Sequence, residues 1–363
     1  MSAPTSLAAG SVLARWLCQG GRPDQAPRAL LWLYRWRAFW LERSYKLLRK
    51  TAPAAQNSAF SEGEGLIFIQ GFWRAGTTLL HELLAEMPEC AVPRTWQCMD
   101  PASLLLPSGR PAGGEAMQRP MDQVMISVDS PQEDEFALLA MGVPSVYRGF
   151  LDPRRLPELT SLLQPRYWLE ADPAWLKTLE AFLSWCAEPG KTQLVVKSPN
   201  HIYRSPALAA FYPKARFVWI LRDPEELWRS NLKMWRAMIA HYGLWKERNQ
   251  ELEHFLDAAL TAYADLLEAM LHGGDFRSQP VFSYEALVRD PETVLPALLD
   301  RLGFGPWESL DGALRSRLLA KPVRGEAKPQ PPLSGPSGLI MRIRVLHEET
   351  LHSFGIHATS LPA

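Results

Sequence analysis

The sequence predicts an α/β protein: a central parallel sheet covered by helices on both faces, three layers in all, with helical insertions between its units. Two observations carry that prediction. Short apolar runs without polar alternation recur along the chain, as strands buried on both faces require. They also alternate with stretches that carry helix signals. The runs are Gly65–Gly71, Gln193–Ser198, Ala215–Arg222 and Pro280–Tyr284. Helices are predicted at about 77–87 and 205–211, and onward from Asp223-Pro224, where Asp supplies an N-cap and Pro the first turn. In such a fold ligands gather at the carboxyl ends of the strands.

Composition narrows the function classes. The chain has 363 residues, 39 basic and 39 acidic side chains, 47% hydrophobic residues and 21% charged ones. It is too apolar and too evenly charged for disorder. Zero formal charge gives no field for a nucleic-acid backbone, so no nucleic-acid partner is expected. Cys18, Cys90, Cys98 and Cys186 are too scattered for a disulfide framework and lack metal-ligand spacing. They are expected to be reduced and buried in a cytoplasmic protein with no metal. No uncharged apolar run reaches the roughly 18 residues that cross a bilayer, and Arg15 and Trp16 interrupt any signal-like stretch.

Residues 1–60 read as a helical appendage and 61–363 as the main domain, with helical insertions at about 90–187 and 241–278. Within the appendage, Ala29–Lys50 lacks Gly and Pro and interleaves Trp32, Trp36 and Trp40 with Arg35, Arg37 and Arg43. Two readings stand: a helix lying peripherally on an anionic membrane, or a helix packed on the domain with its arginines in solvent. The apolar residues cover too much of the circumference for a clean interfacial face, which favours packing. The Pro/Gly-rich stretch 321–338 reads as a lid or as coil.

Three motifs carry chemistry. Gly71-Phe-Trp-Arg-Ala-Gly76-Thr77-Thr78 links a strand to a helix with the spacing of a phosphate-binding loop, Thr77 standing where the usual Lys would be. Small residues let successive N–H groups turn inward, and the helix N-terminus adds partial positive charge for an anion. Arg74 adds a side-chain fork. The second motif, Arg222-Asp223-Pro224 with Ser230 eight residues after Arg222, offers a guanidinium and a hydroxyl for another anion. It also reads simply as a capped helix start. The third, Lys197-Ser198-Pro199-Asn200-His201, sets a cation and an imidazole at a strand end.

In this order and placement, across about 66–290, these motifs resemble the sulfotransferases that use 3′-phosphoadenosine 5′-phosphosulfate (PAPS), in particular their bacterial branch. The resemblance implies a P-loop-like fold and PAPS as co-substrate without a metal. It implies that Arg74, Ala75, Gly76, Thr77 and Thr78 bind the 5′-phosphosulfate, that Arg222 and Ser230 hold the 3′-phosphate, and that Tyr284 approaches the nucleotide. Trp73 and Ala75 depart from a commoner Pro and Ser, without removing a backbone donor. The acceptor is expected to be a small molecule, glycan or lipid carrying a hydroxyl or amine.

Transfer builds negative charge on a bridging oxygen, which Arg74, Lys197 and the loop N–H groups are suited to stabilise. An acceptor hydroxyl also needs a base. His201 is one candidate, and the acidic run Glu133-Asp134-Glu135 supplies the others, though as helix-start acids these need no catalytic role. His81 is expected to be packing. Pro93–Gln97 contains no carboxylate, unlike the corresponding stretch of peptide-tyrosine sulfotransferases, which argues against a peptide acceptor. Trp96, Trp168, Trp175 and Trp235 suit stacking against sugars or aromatic acceptors. A nucleotide-dependent phosphotransferase, and a non-catalytic membrane-associated protein retaining the fold, are the competing readings. The sequence is silent on oligomeric state.

Overall fold

A computed structural model describes residues 47, 60–105, 116–122, 124–243, 245, 249–273, 279–321 and 336–353. The expected helix at 29–50 (Leu47 apart), the segment 322–335 and Cys18 lie outside the described residues.

Five parallel strands form the central sheet: β1 (Leu66–Gln70), β2 (Cys90–Ala91), β5 (Gln193–Lys197), β6 (Arg216–Leu221) and β7 (Val281–Ser283), in the order β2-β5-β1-β6-β7. Every residue of β1 is buried, because helices cover both faces, which explains its unbroken apolar run. Phe68 faces Val196 and Phe217 in register and stacks on the Phe217 ring. After β1 the chain first builds the β2/β5 side, then crosses to β6 and β7. The loops after β1, β5, β6 and β7 therefore meet along one edge, where the strand order reverses.

The insertion expected from about 90 begins with a strand, β2, paired to Gln193 and Leu194 of β5. It also holds a small antiparallel hairpin, β3 (Met117–Gln118) and β4 (Met125–Ile126), so it is not purely helical.

The helices that shape the site are α1 (Thr77–Leu84), α2 (Thr95–Met99), α3 (Glu135–Ala140), α4 (Ala174–Cys186), α5 (Ser205–Phe211), α6 (Pro224–Tyr242), α7 (Asn249–Gly273) and α8 (Tyr284–Arg289). As anticipated, Asp223 caps α6, its carboxylate accepting from the Glu226 N–H at 3.0 Å, and Pro224 sits in the first turn. Cys90, Cys98 and Cys186 are buried free thiols. Burial pushes the Cys90 thiol up to about 12 and raises Cys98 and Cys186 well above the ordinary thiol value. Among the described residues no helix is long and apolar enough to cross a membrane.

Candidate active site

The loop after β1 is held by its backbone. Arg74 takes a left-handed conformation (φ 71°) and Gly76 another (φ 101°), so the chain can double back before α1. A side chain at Gly76 would overlap the Tyr284 ring, so only glycine fits. Gly76 caps α1 without a side-chain hydrogen bond, which leaves the first N–H groups of that helix for an anion.

The two anion motifs converge. Arg74 Nε donates to Ser230 Oγ at 3.1 Å, and Arg222 Nη1 donates to the Arg74 carbonyl at 2.8 Å. The Arg222 guanidinium lies 4.7 Å from the centre of the Tyr284 ring, a cation–π contact. Arg74, Gly76, Thr77, Thr78, Arg222, Ser230 and Tyr284 all line one cavity of about 930 Å³. That is at the upper end for a ligand site, roughly 300–1,000 Å³. Ala75, fully buried, does not line it, and its N–H donates to the Phe72 carbonyl at 3.0 Å.

At the next strand end, Lys197 lies behind the cavity wall. Its ammonium donates to Glu133 Oε1 at 2.7 Å and to Thr78 Oγ1 at 3.4 Å. Burial pulls the Lys197 pKa down, and the Glu133 carboxylate opposes that pull. Tyr147 donates its hydroxyl to the other Glu133 oxygen at 2.6 Å; burial first, then the adjacent carboxylate, pushes this phenol well up. Glu133 and Tyr147 both face the cavity.

The next two acids turn the other way. Asp134 and Glu135 are fully buried; Asp134 pairs with His201 Nε2 at 2.8 Å, and Glu135 takes Arg204 through two bonds of 2.5 and 3.0 Å. The Arg204 guanidinium lies 4.2 Å from the Trp168 ring centre and 5.8 Å from that of Trp175, and the two rings meet edge to face. His201 is itself fully buried and does not line the cavity. Of the four candidate bases, His201, Asp134 and Glu135 are thus buried, paired and off the cavity, and Glu133 faces it. His81 is likewise internal, held to the Val195 carbonyl. Trp96, Trp168, Trp175 and Trp235 do not reach the cavity; Trp235 packs among Trp73, Phe150 and Phe255 instead.

Several lining residues carried no signal in the sequence: Arg119 and Asp122 on the hairpin, Tyr147, and Lys233 one turn past Ser230. The spacing of Ser230, Met234, Met238 and Tyr242 was a usable signal. Repeated at i, i+4, they share one face of α6, and all four line the cavity. At 1.5 Å per residue that stripe runs about 18 Å, from the cationic end into an apolar one.

Residues 67–309 match the sulfotransferase family. The chain belongs to that family. It is 31% identical over 259 residues to the omega-hydroxy-beta-dihydromenaquinone-9 sulfotransferases Stf3 of Mycobacterium bovis and Mycobacterium tuberculosis. The match covers 69% of this chain and 66% of each relative, so the chain spans just under two thirds of their length. Among solved structures it resembles sulfotransferase STF9 from Mycobacterium avium (TM-score 0.58, 18% identity, covering 92% of this chain and 87% of that one). It also resembles STF1 from Mycobacterium tuberculosis H37Rv (TM-score 0.53, 17% identity, covering 86% and 85%). At these identities the two structures speak for the sulfotransferase fold.

Proposed function

We propose that this sulfotransferase takes PAPS as donor and passes the sulfuryl group to the hydroxyl of a long, apolar, lipid-like acceptor. The observation that carries the reading is the single cavity with two unlike ends. At one end the loop N–H groups, Arg74, Arg222, Ser230 and Lys233 make a cationic cradle. At the other, Met99, Met234, Met238, Phe136 and Phe150 make a flexible apolar wall. The residues fit the donor chemically. A doubly phosphorylated nucleotide needs a backbone cradle, a guanidinium with a hydroxyl, and an aromatic face, and these stand together here. A sugar would want the tryptophans that the core has absorbed, whereas methionines suit an alkyl or isoprenoid chain. The relatives named for a hydroxylated menaquinone agree with that choice.

In the proposed mechanism Glu133 is the base. PAPS supplies the sulfuryl group and a bisphosphate that leaves when the acceptor oxygen displaces it at sulfur. Glu133 accepts the acceptor's proton, and Lys197 and Tyr147 each hold one of its oxygens, so the carboxylate is fixed before the acceptor arrives. Lys197, linked to Thr78 at the start of α1, also carries positive charge toward the loop that receives the developing negative charge. Preorganised donors of this kind are each worth about 3 kcal/mol in the transition state.

Thermal shift with adenosine 3′,5′-bisphosphate, AMP and magnesium-ATP tests the donor. Selective stabilisation by the bisphosphate supports the proposal, and selective stabilisation by magnesium-ATP moves the chain to phosphoryl transfer. The acceptor is tested by offering labelled PAPS with a long-chain primary alcohol, a phenol and a sugar; transfer confined to the sugar would overturn the lipid-like reading.

A further inference from the structure

The hairpin β3–β4 hangs over the cationic end of the cavity and contributes Arg119 and Asp122 to its lining. Asp122 is placed as an anion is placed in a binding site. Arg119 grips it with Nε on Oδ1 at 3.1 Å and Nη2 on Oδ2 at 2.6 Å, while Arg74 Nη1 donates to Oδ2 at 3.0 Å. The Val124 N–H adds a further bond to Oδ1 at 3.1 Å. Both guanidiniums are largely buried, with side-chain exposures of 9% for Arg119 and 19% for Arg74. Two largely buried guanidiniums thus converge on this one carboxylate. Burial pushes the Asp122 carboxyl up, but the two guanidiniums outweigh it and hold Asp122 down to about 2, so it stays ionised throughout the neutral range. A phosphate or sulfonate has three oxygens and equal or greater charge, and would satisfy the two forks more fully than a carboxylate does. The site is also contiguous with the anion motifs, since the same Arg74 side chain reaches Ser230.

We propose that Arg119 and Arg74 form a two-guanidinium clamp for an oxyanion of the donor, and that Asp122 is its resident stand-in, displaced when the donor binds. The clamp adds Arg119 to the binding residues. The oxyanion is either the 3′-phosphate or the sulfuryl-bearing 5′ end. Naming the nucleotide as its source rests on the PAPS reading; the clamp's affinity for an oxyanion does not.

The test is isothermal titration of the full chain and its Asp122→Asn, Arg119→Gln and Arg119→Lys variants. The titrants are adenosine 3′,5′-bisphosphate, adenosine 5′-phosphosulfate and inorganic pyrophosphate. Asp122→Asn removes the competing charge while keeping an oxygen for the Val124 N–H, so it should bind oxyanions about five- to tenfold more tightly. Arg119→Gln should weaken the same titrants about tenfold, and Arg119→Lys less. An effect confined to the bisphosphate assigns the clamp to the 3′-phosphate; one confined to the phosphosulfate assigns it to the sulfuryl end. If no variant binds either nucleotide but Asp122→Asn still gains pyrophosphate affinity, the clamp stands and the PAPS reading falls. No gain for any titrant in Asp122→Asn, or no loss in Arg119→Gln, overturns the clamp. Arg119→Lys, which keeps the charge, guards against misreading a folding defect: its smaller loss ties the effect to the cation at 119.

Discussion

Glu133 and its neighbours Asp134 and Glu135 form one acidic run, yet they serve two different regions. Glu133 faces the cavity, gripped by Lys197 and Tyr147 with room beside it for a substrate. Asp134 and Glu135 lie in the layer beneath, where His201 and Arg204 take them out of circulation. The chemistry of the side chains is nearly the same; access separates them. A carboxylate with partners and an open side can exchange a proton with a ligand, whereas a sealed one only fixes the fold. That layer also sets the position of the cavity wall, because Ser198, between Lys197 and the loop that carries His201, reaches Glu135 at 3.4 Å.

The sealed layer should show itself first in stability. Glu135→Ala leaves the Arg204 guanidinium buried without its carboxylate, which costs about 3–5 kcal/mol. Urea denaturation should register that loss, and a change below about 1 kcal/mol would mean the layer is not sealed. The cavity side should respond in ligand affinity instead. Arg222→Ala should weaken adenosine 3′,5′-bisphosphate at least tenfold in titration calorimetry and AMP hardly at all; equal losses would remove Arg222 from the 3′-phosphate.

Acid separates the two regions again. Burial, helped by the nearby Lys197 charge, pushes His81 down to about 3 from its ordinary 6.5, so in the fold it stays neutral. The unfolded chain takes up that proton once the pH drops below about 6.5 and the folded chain does not. Stability should therefore be complete above that pH and fall between about 6.5 and 3, by up to about 1.4 kcal/mol per unit. Melts across pH 4–7 should show this slope, and His81→Gln should flatten it. The smallest effect is expected at the cavity rim of the comparison. Tyr147→Phe frees one Glu133 oxygen, so turnover should drop about tenfold or less, on the scale of one hydrogen bond to a charged group. Its pH–rate profile should shift while nucleotide affinity holds; a fall in affinity without a pH shift would make Tyr147 a packing residue only.

The sheet was legible because strands buried on both faces are apolar throughout, as Leu66–Ile69 and Phe217–Leu221 are. The turn after β1 was legible because glycine at 76 answers a backbone need, a left-handed φ against the Tyr284 ring. β2 was not, since two residues make no pattern, and the same holds for the hairpin that carries Arg119 and Asp122. Which acid of the run would face the cavity depends on the angle at which α3 begins, and that is set by contacts with Lys197 and Arg204 far along the chain. The surroundings of His201 were hidden for the same reason: its sequence neighbours place it at a strand end, and only the fold shows its pairing with Asp134.

The most direct measurement is single-turnover transfer of labelled sulfuryl from PAPS to a long-chain alcohol, comparing the wild-type chain with Glu133→Gln at matched nucleotide occupancy. Loss of the base should slow transfer by about 10²–10⁴-fold, with bisphosphate affinity and melting temperature close to wild type. Transfer at the wild-type rate in Glu133→Gln would contradict the assignment of Glu133 as the residue that meets the acceptor.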